Sequence, residues 1–179
     1  MFTEDQQRAL VDIARRAVQG SVTGARAETP AAMELPPATG AFVTLKKHGE
    51  LRGCIGTLEC RAPLPEEVAR VAVSAAQEDP RFEPVRASEL NDLDVEVSVL
   101  GPLEPIDPFD RDAIEIGRHG LVVEQGWRRG LLLPQVATEW GWNAEQFLRQ
   151  TCVKAGLAPD AWEHGAEVSR FTADVFGGD

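Results

Sequence analysis

The chain has 179 residues, 43% of them hydrophobic and 26% charged, with a formal net charge of −11. That length suits one domain, or one domain with a small subdomain, and buries a continuous core without disulfides or structural metals. The composition excludes wholesale disorder, and the negative field disfavours non-specific nucleic-acid binding because it repels phosphate backbones.

Residues 3–19 carry a helical pattern, with Leu10, Ile13, Ala14, Ala17 and Val18 on one side, a capping box from Thr3 and Gln6, and Gly20 as the stop. The stretch through Gly40 mixes Gly, Pro, Thr and Ala without period and reads as a long loop. Ala41 to Lys46 and Leu51 to Thr57 form a β-hairpin pattern around His48-Gly49-Glu50. Pro65 suits the first turn of a second helix, whose narrow apolar face holds Val68, Val71, Ala72, Ala75 and Ala76. Asp79-Pro80-Arg81-Phe82 breaks that helix.

Leu93 to Leu100 alternates as a strand, with Leu93, Val95, Val97 and Val99 facing one way and Asp94, Glu96 and Ser98 the other. Ile114 to Ile116 and Leu121 to Glu124 flank Gly117-Arg118-His119-Gly120 as two further strand segments. Leu131-Leu132-Leu133 reads as a strand ending at Pro134, Asn143 with Gln146 starts a last helix running to Gly156, and Val168 to Phe171 closes with a short strand. Strands arrive as neighbouring hairpins rather than in strict β-α alternation, which predicts an antiparallel α+β fold.

The chemistry concentrates in Leu51-Arg52-Gly53-Cys54-Ile55-Gly56. In a regular strand Arg52, Cys54 and Gly56 share one face, and an arginine beside a cysteine stabilises a thiolate, as nucleophile or metal ligand. Glycines within a strand mark a bulge or a close approach by another backbone or a ligand. The competing reading is a structural cysteine beside a closely packed helix. His119 is a candidate general base or second ligand, Glu96 a candidate acid or orienting group, and Ser98 lies on the same polar side. Arg81 belongs to a segment that either presents a charged pair beside the cysteine strand or closes a turn with a local ion pair. His48 and His164 fall in polar loops, and Trp127, Trp140, Trp142 and Trp162 are expected in packing.

Cys54, Cys60 and Cys152 form no CxxC pair, which argues against a secreted disulfide framework or zinc knuckle and points to a reducing cytosol. No basic segment followed by an apolar run opens the chain, and no apolar stretch approaches the roughly 20 residues a membrane span needs, so a soluble protein without a membrane partner is expected. Motifs for a P-loop, Rossmann, zinc-protease, serine-hydrolase or EF-hand site are missing, so no cofactor or metal is named.

The run Leu51 to Thr57 closely resembles the signature of the AMMECR domain family. The resemblance continues through Ser74-Ala75-Ala76, Asp79-Pro80-Arg81-Phe82, Val97 to Leu100, His119-Gly120-Leu121, Leu132 to Val136 and Lys154 to Leu157, in order along nearly the whole chain. It implies two unequal α+β subdomains with antiparallel sheets and a groove between them. Residues 1–179 would then form a single domain of this type, with a flexible loop at about 20–40 and room for a smaller subdomain inserted around 50–90. Prokaryotic members look like protein A of the AmmeMemoRadiSam system, beside a Memo-like protein and a radical SAM protein. The resemblance implies an enzyme or enzyme subunit acting on a small molecule or a modified, nucleotide-like base. Cys54, His119 and Glu96 would be catalytic, and Arg52, Gly53, Gly56, Ser98 and Arg81 would hold substrate. The rival is a binding or adaptor domain whose groove receives a protein partner; a specific nucleic-acid modifier would need a basic groove.

Overall fold

The computed structural model describes residues 2–26, 28 and 30–178. Helix α1 (Glu4–Thr23) opens with the expected capping box: Thr3 Oγ1 accepts from Gln6 N at 3.2 Å, and Gln6 Oε1 accepts from Thr3 N at 2.8 Å. It runs past the expected stop at Gly20. An isolated glycine costs a helix only about 1 kcal/mol, and the left-handed residue that ends this one is Gly24, at φ 75°. Leu10, Ala14 and Val18 recur every four residues and are buried.

The hairpin β1 (Gly40–Lys47) and β2 (Glu50–Thr57) closes through two residues, His48 at φ 52° and Gly49 at φ 79°. Two positive φ values match the right-handed twist of the flanking strands, which leaves Glu50 in β2 paired with Lys47. On its other side β1 pairs antiparallel with β3 (Leu93–Leu100). Val43 thus lies between Ile55 and Val97, and Thr44 between Cys54 and Glu96. Ala41, Val43, Leu45, Val95, Val97 and Val99 are buried with the apolar faces of α1 and α2 (Leu64–Gln77). Strand β2 comes close to α2: a Cβ built on Gly53 would lie 2.2 Å from Ala75 O.

The chain divides into two compact units, residues 1–100 with 174–179 and residues 101–173. The segment around 50–90, considered above as an inserted subdomain, supplies β2 and α2 of the first unit. The second unit holds β4 (Glu104–Pro105), β5 (His119–Gln125), β6 (Arg128–Leu132), α3 (Pro134–Trp140) and α4 (Ala144–Lys154). Strand β7 (Glu167–Gly177) begins there, between β4 and β5, and ends in the first unit, where Gly178 N donates to Val95 O at 2.9 Å. The second core gathers Leu121, Val123, Phe147, Leu148, Trp162 and Val168.

Several expectations shift here. Ile114 follows a single 3-10 turn (Arg111–Ala113) and is no strand. Pro134 opens α3 instead of ending a strand, because a first-turn proline has no intrahelical N–H to lose. Trp162 is core, but Trp127 and Trp140 are exposed. The fold is α+β with antiparallel sheets. Among the described residues no helix is long and apolar enough to cross a membrane.

Gly53→Val drives two methyls and a Cβ into the Ala75 carbonyl and is expected to destabilise the protein by about 3 kcal/mol. A urea unfolding midpoint equal to that of the unsubstituted protein would show that β2 and α2 have room to separate.

Candidate functional site around Cys54

Alternation along β1 and its two neighbours puts a polar row on the sheet face opposite the buried valines. Cys54, Thr44 and Glu96 are register partners across β2, β1 and β3. Thr44 Oγ1 lies 3.2 Å from Cys54 Sγ. Glu96 is two strands from the cysteine, about 10 Å between backbones, and its carboxylate meets Lys46 Nζ at 3.5 Å. Phe42 occupies the next row, between Gly56 and the buried Ser98. Its ring covers Gly56, where an added Cβ would fall 2.2 Å from Phe42 Cδ1.

Strand β2 ends the order β2-β1-β3, so alternate backbone groups point away from the sheet. At Cys54 these groups have side-chain partners. Cys54 N donates to Asp79 Oδ2 at 3.0 Å, and Cys54 O accepts from Arg81 Nη2 at 3.4 Å. Asp79 also accepts from Arg81 N at 3.0 Å, Arg81 Nε at 3.0 Å and Arg81 Nη2 at 2.7 Å. With its side chain only 2% exposed, Asp79 needs all of these donors to remain ionised. The Arg81 side-chain bonds, helped by the Cys54 N–H, hold its carboxyl far below the usual carboxylate range against the opposing pull of burial. The same bonds to Asp79 hold the Arg81 proton more firmly, with smaller contributions from the charges of Asp79 and Cys54. The segment after α2 is therefore both a turn closed by a local ion pair and a charged pair beside the cysteine strand.

Arg52 behaves differently from its expected place. The register of β1 and β2 shifts between Leu45 and Lys46, so Gly53 pairs with Leu45, Leu51 pairs with Lys46, and Arg52 is the extra residue of a bulge. The bulge breaks the alternation that would align Arg52 with Cys54. Its guanidinium forms a two-pronged pair with Glu89, Nε to Oε1 and Nη2 to Oε2, both at 3.1 Å. Lys47 Nζ and Arg86 N also donate to Glu89, at 3.1 and 2.9 Å. Those bonds, the Arg52 pair first, lower the Glu89 carboxyl to about 2. The Phe82 ring lies near both guanidiniums, with Arg81 Cζ 5.4 Å and Arg52 Cζ 6.0 Å from its centroid.

His119 belongs to the second unit, at the start of β5. Its Nδ1 accepts from Glu115 N at 3.0 Å, and its own N–H donates to Glu115 O at 3.0 Å. The ring is buried, which pushes its pKa down, and the positive charges of Arg170 and Arg118 push the same way. It is a neutral imidazole with its proton on Nε2 and its lone pair occupied. Among the described residues, Asp160, Glu163 and His164 are the group whose ligand atoms converge as a metal site would require. That group contains none of Cys54, Glu96 and His119. Thr44 and Glu89 escaped the sequence reading. The alternation Phe42, Thr44, Lys46 in β1 was the available signal for the first; nothing local pointed to the second.

The AMMECR1 family model matches residues 11–176. The chain belongs to the AMMECR1 family. A relative from Methanothermobacter thermautotrophicus is 50% identical over 98% of this chain and 95% of its own. One from Thermococcus gammatolerans is 49% identical over 93% of this chain and 87% of its own. The crystal structure of an uncharacterised protein from Pyrococcus horikoshii matches with a TM-score of 0.86 at 42% identity, covering 98% of this chain and 93% of that one. In this AMMECR1 member, the family-like segments Leu51 to Thr57 and Asp79 to Phe82 meet at one residue, Cys54.

Glu89 carries a folded-state pKa of about 2 against an ordinary value of 4.5. Its contribution is complete above about pH 4.5 and is lost as pH falls toward 2. Glu89→Gln should therefore cost about 2 kcal/mol at neutral pH and flatten the acid limb of stability. Chemical denaturation measured from pH 7 to 2 checks this, and parallel curves for both proteins would contradict it.

Proposed function

We propose that this AMMECR1-family protein is an enzyme, or the subunit of one, in which Cys54 is the nucleophile toward a small electrophilic molecule. The observation that carries the reading is that Cys54 is held at three points. Its N–H is fixed by Asp79, its carbonyl by Arg81 and its thiol by Thr44, while the residue stays half-buried. Two of these bonds satisfy the backbone of the edge strand, and the third, with Thr44, reaches the sulfur itself. Thr44 is placed to donate to a thiolate, and the Arg81 cation stands beside it, the surroundings that favour a reactive sulfur. Glu96 and Lys46 share the polar face and would bind polar groups of the substrate, while Ser98 is buried one row away beside Phe42. Arg52 supports the site through the bulge and Glu89, and His119 is left out of the chemistry because its lone pair is taken. The resemblance to AmmeMemoRadiSam protein A would place this reaction beside those of a Memo-like protein and a radical SAM protein.

One set of observations favours a second reading, a binding or adaptor domain for a protein partner. Arg52 is committed to Glu89, the space beside Gly53 is filled by Ala75, and the space beside Gly56 is filled by Phe42. A signature built for packing would look the same.

Alkylation of the native protein with iodoacetamide, followed by peptide mass spectrometry, separates the two. Burial raises the thiol pKa of both Cys60 and Cys152, so Cys54 is expected to react at least about ten times faster than either at neutral pH. Asp79→Asn should slow the Cys54 reaction in protein that remains folded. A Cys54 that is modified only on unfolding would establish the binding reading instead.

A further inference from the structure

His119 is a buried titratable group that the chemistry proposed for Cys54 does not use. It opens β5 in the second unit, and two hydrogen bonds tie it to Glu115. His119 N donates to Glu115 O at 3.0 Å, and the ring Nδ1 accepts from Glu115 N at 3.0 Å. Gly117, at φ 90°, carries the bend between them. The residues before this turn are fastened separately: Ile114 is buried in the second core, and Arg170 Nη1 donates to Ala113 O at 2.7 Å. Behind the turn, β5 is paired with β6 on one side and β7 on the other. The turn is therefore a short flap between firm attachments, closed in part by the lone pair of an imidazole.

That lone pair accepts a hydrogen bond only while it carries no proton, because an imidazolium donates from both ring nitrogens. Protonation at Nδ1 sets one N–H against another and leaves Glu115 N without its acceptor. The charged groups facing the ring are Glu115 and Arg118 on the turn, Arg170 on β7 and Glu104 on β4. They stand as pairs, Arg118 with Glu115 at 3.4 Å and Arg170 with Glu104 at 3.0 Å, so neither sign dominates. Burial is the main cost of the imidazolium, the two arginines add to it, and together they hold the ring's pKa below the ordinary 6.5.

We propose that His119 is a proton-operated latch, which holds the Glu115–His119 turn shut while neutral and lets it open, with β5 still paired, once Nδ1 is protonated. The proton comes from solvent, and the bond it displaces is the one from Glu115 N. The open turn takes up a proton that the closed turn excludes. Closure is therefore complete above pH 6.5 and weakens below it, by about ten-fold per pH unit. That range lies above the one in which Glu89 titrates. None of the residues around Cys54 takes part, so the latch stands or falls independently of the thiol chemistry.

Amide hydrogen exchange of the full chain, followed by NMR and corrected for the intrinsic effect of pH on exchange, reads the latch. Between about pH 7 and pH 5.5 the Glu115 and His119 amides should lose about ten-fold protection, while those of Leu121 to Val123 keep theirs. His119→Asn places an amide oxygen near the position of Nδ1, an acceptor that takes no proton in this range, and should hold the turn equally at both pH values. His119→Phe has no acceptor there and should leave the turn open at both. In the unsubstituted protein the Glu115 amide resonance should shift with the same midpoint as the His119 ring. The proposal is overturned if the turn of the unsubstituted protein is equally protected at both pH values, or if His119→Asn loses protection as that protein does. It is also overturned if Leu121 to Val123 open in step with the turn, or if the ring titrates without moving the Glu115 amide.

Discussion

The site around Cys54 depends on a buried carboxylate meeting the edge of a sheet. An edge strand offers unpaired N–H and C=O groups that must find water or a partner. At Cys54 those partners are Asp79 and Arg81, two residues apart in sequence and joined to each other by a two-pronged ion pair. The same contact ends α2, fixes β2 laterally and prevents another strand from pairing at that residue. Removing one member would leave the other as an unmatched charge, so the arrangement holds as a unit.

Around it, close approach takes the place of side-chain bulk. Gly53 lets the Ala75 carbonyl come against β2, and Gly56 lets the Phe42 ring lie over it. The bulge at Arg52 turns that guanidinium to Glu89, which also gathers Lys47 and the N–H of Arg86. Two carboxylates, Asp79 and Glu89, thus fasten the β2 strand at residues 52 and 54 from separate segments. Thr44, carried by the central strand, meets the thiol from the sheet itself.

Much of the architecture was legible in the sequence because it rests on local pattern. The α1 capping box, the alternation of β3 and the proline opening α2 are written in neighbouring residues, and so is the family-like run Leu51 to Thr57. What escaped depends on residues far apart. Alternation alone predicted Arg52 beside Cys54, but a bulge is decided by the pairing of β2 with β1. The base-like appearance of His119 ignored the Glu115 N–H four residues earlier, which occupies its lone pair. Ile114 was read as strand because it is apolar, although a buried residue at the end of a 3-10 turn is equally apolar.

Strand β7 has a consequence for how the chain reaches this state. Its last residues and the short tail beyond them, 174–179, belong to the first unit, yet they follow the whole of the second in sequence. During synthesis the helices α1 and α2 and strands β1 to β3 emerge early. Phe176, which packs with Phe2 at a ring separation of 5.8 Å, and the Gly178 bond to Val95 are added only after residues 101–173 have been made. The unit carrying Cys54 is therefore begun first and finished last, and its completion waits on the polymerisation of the other.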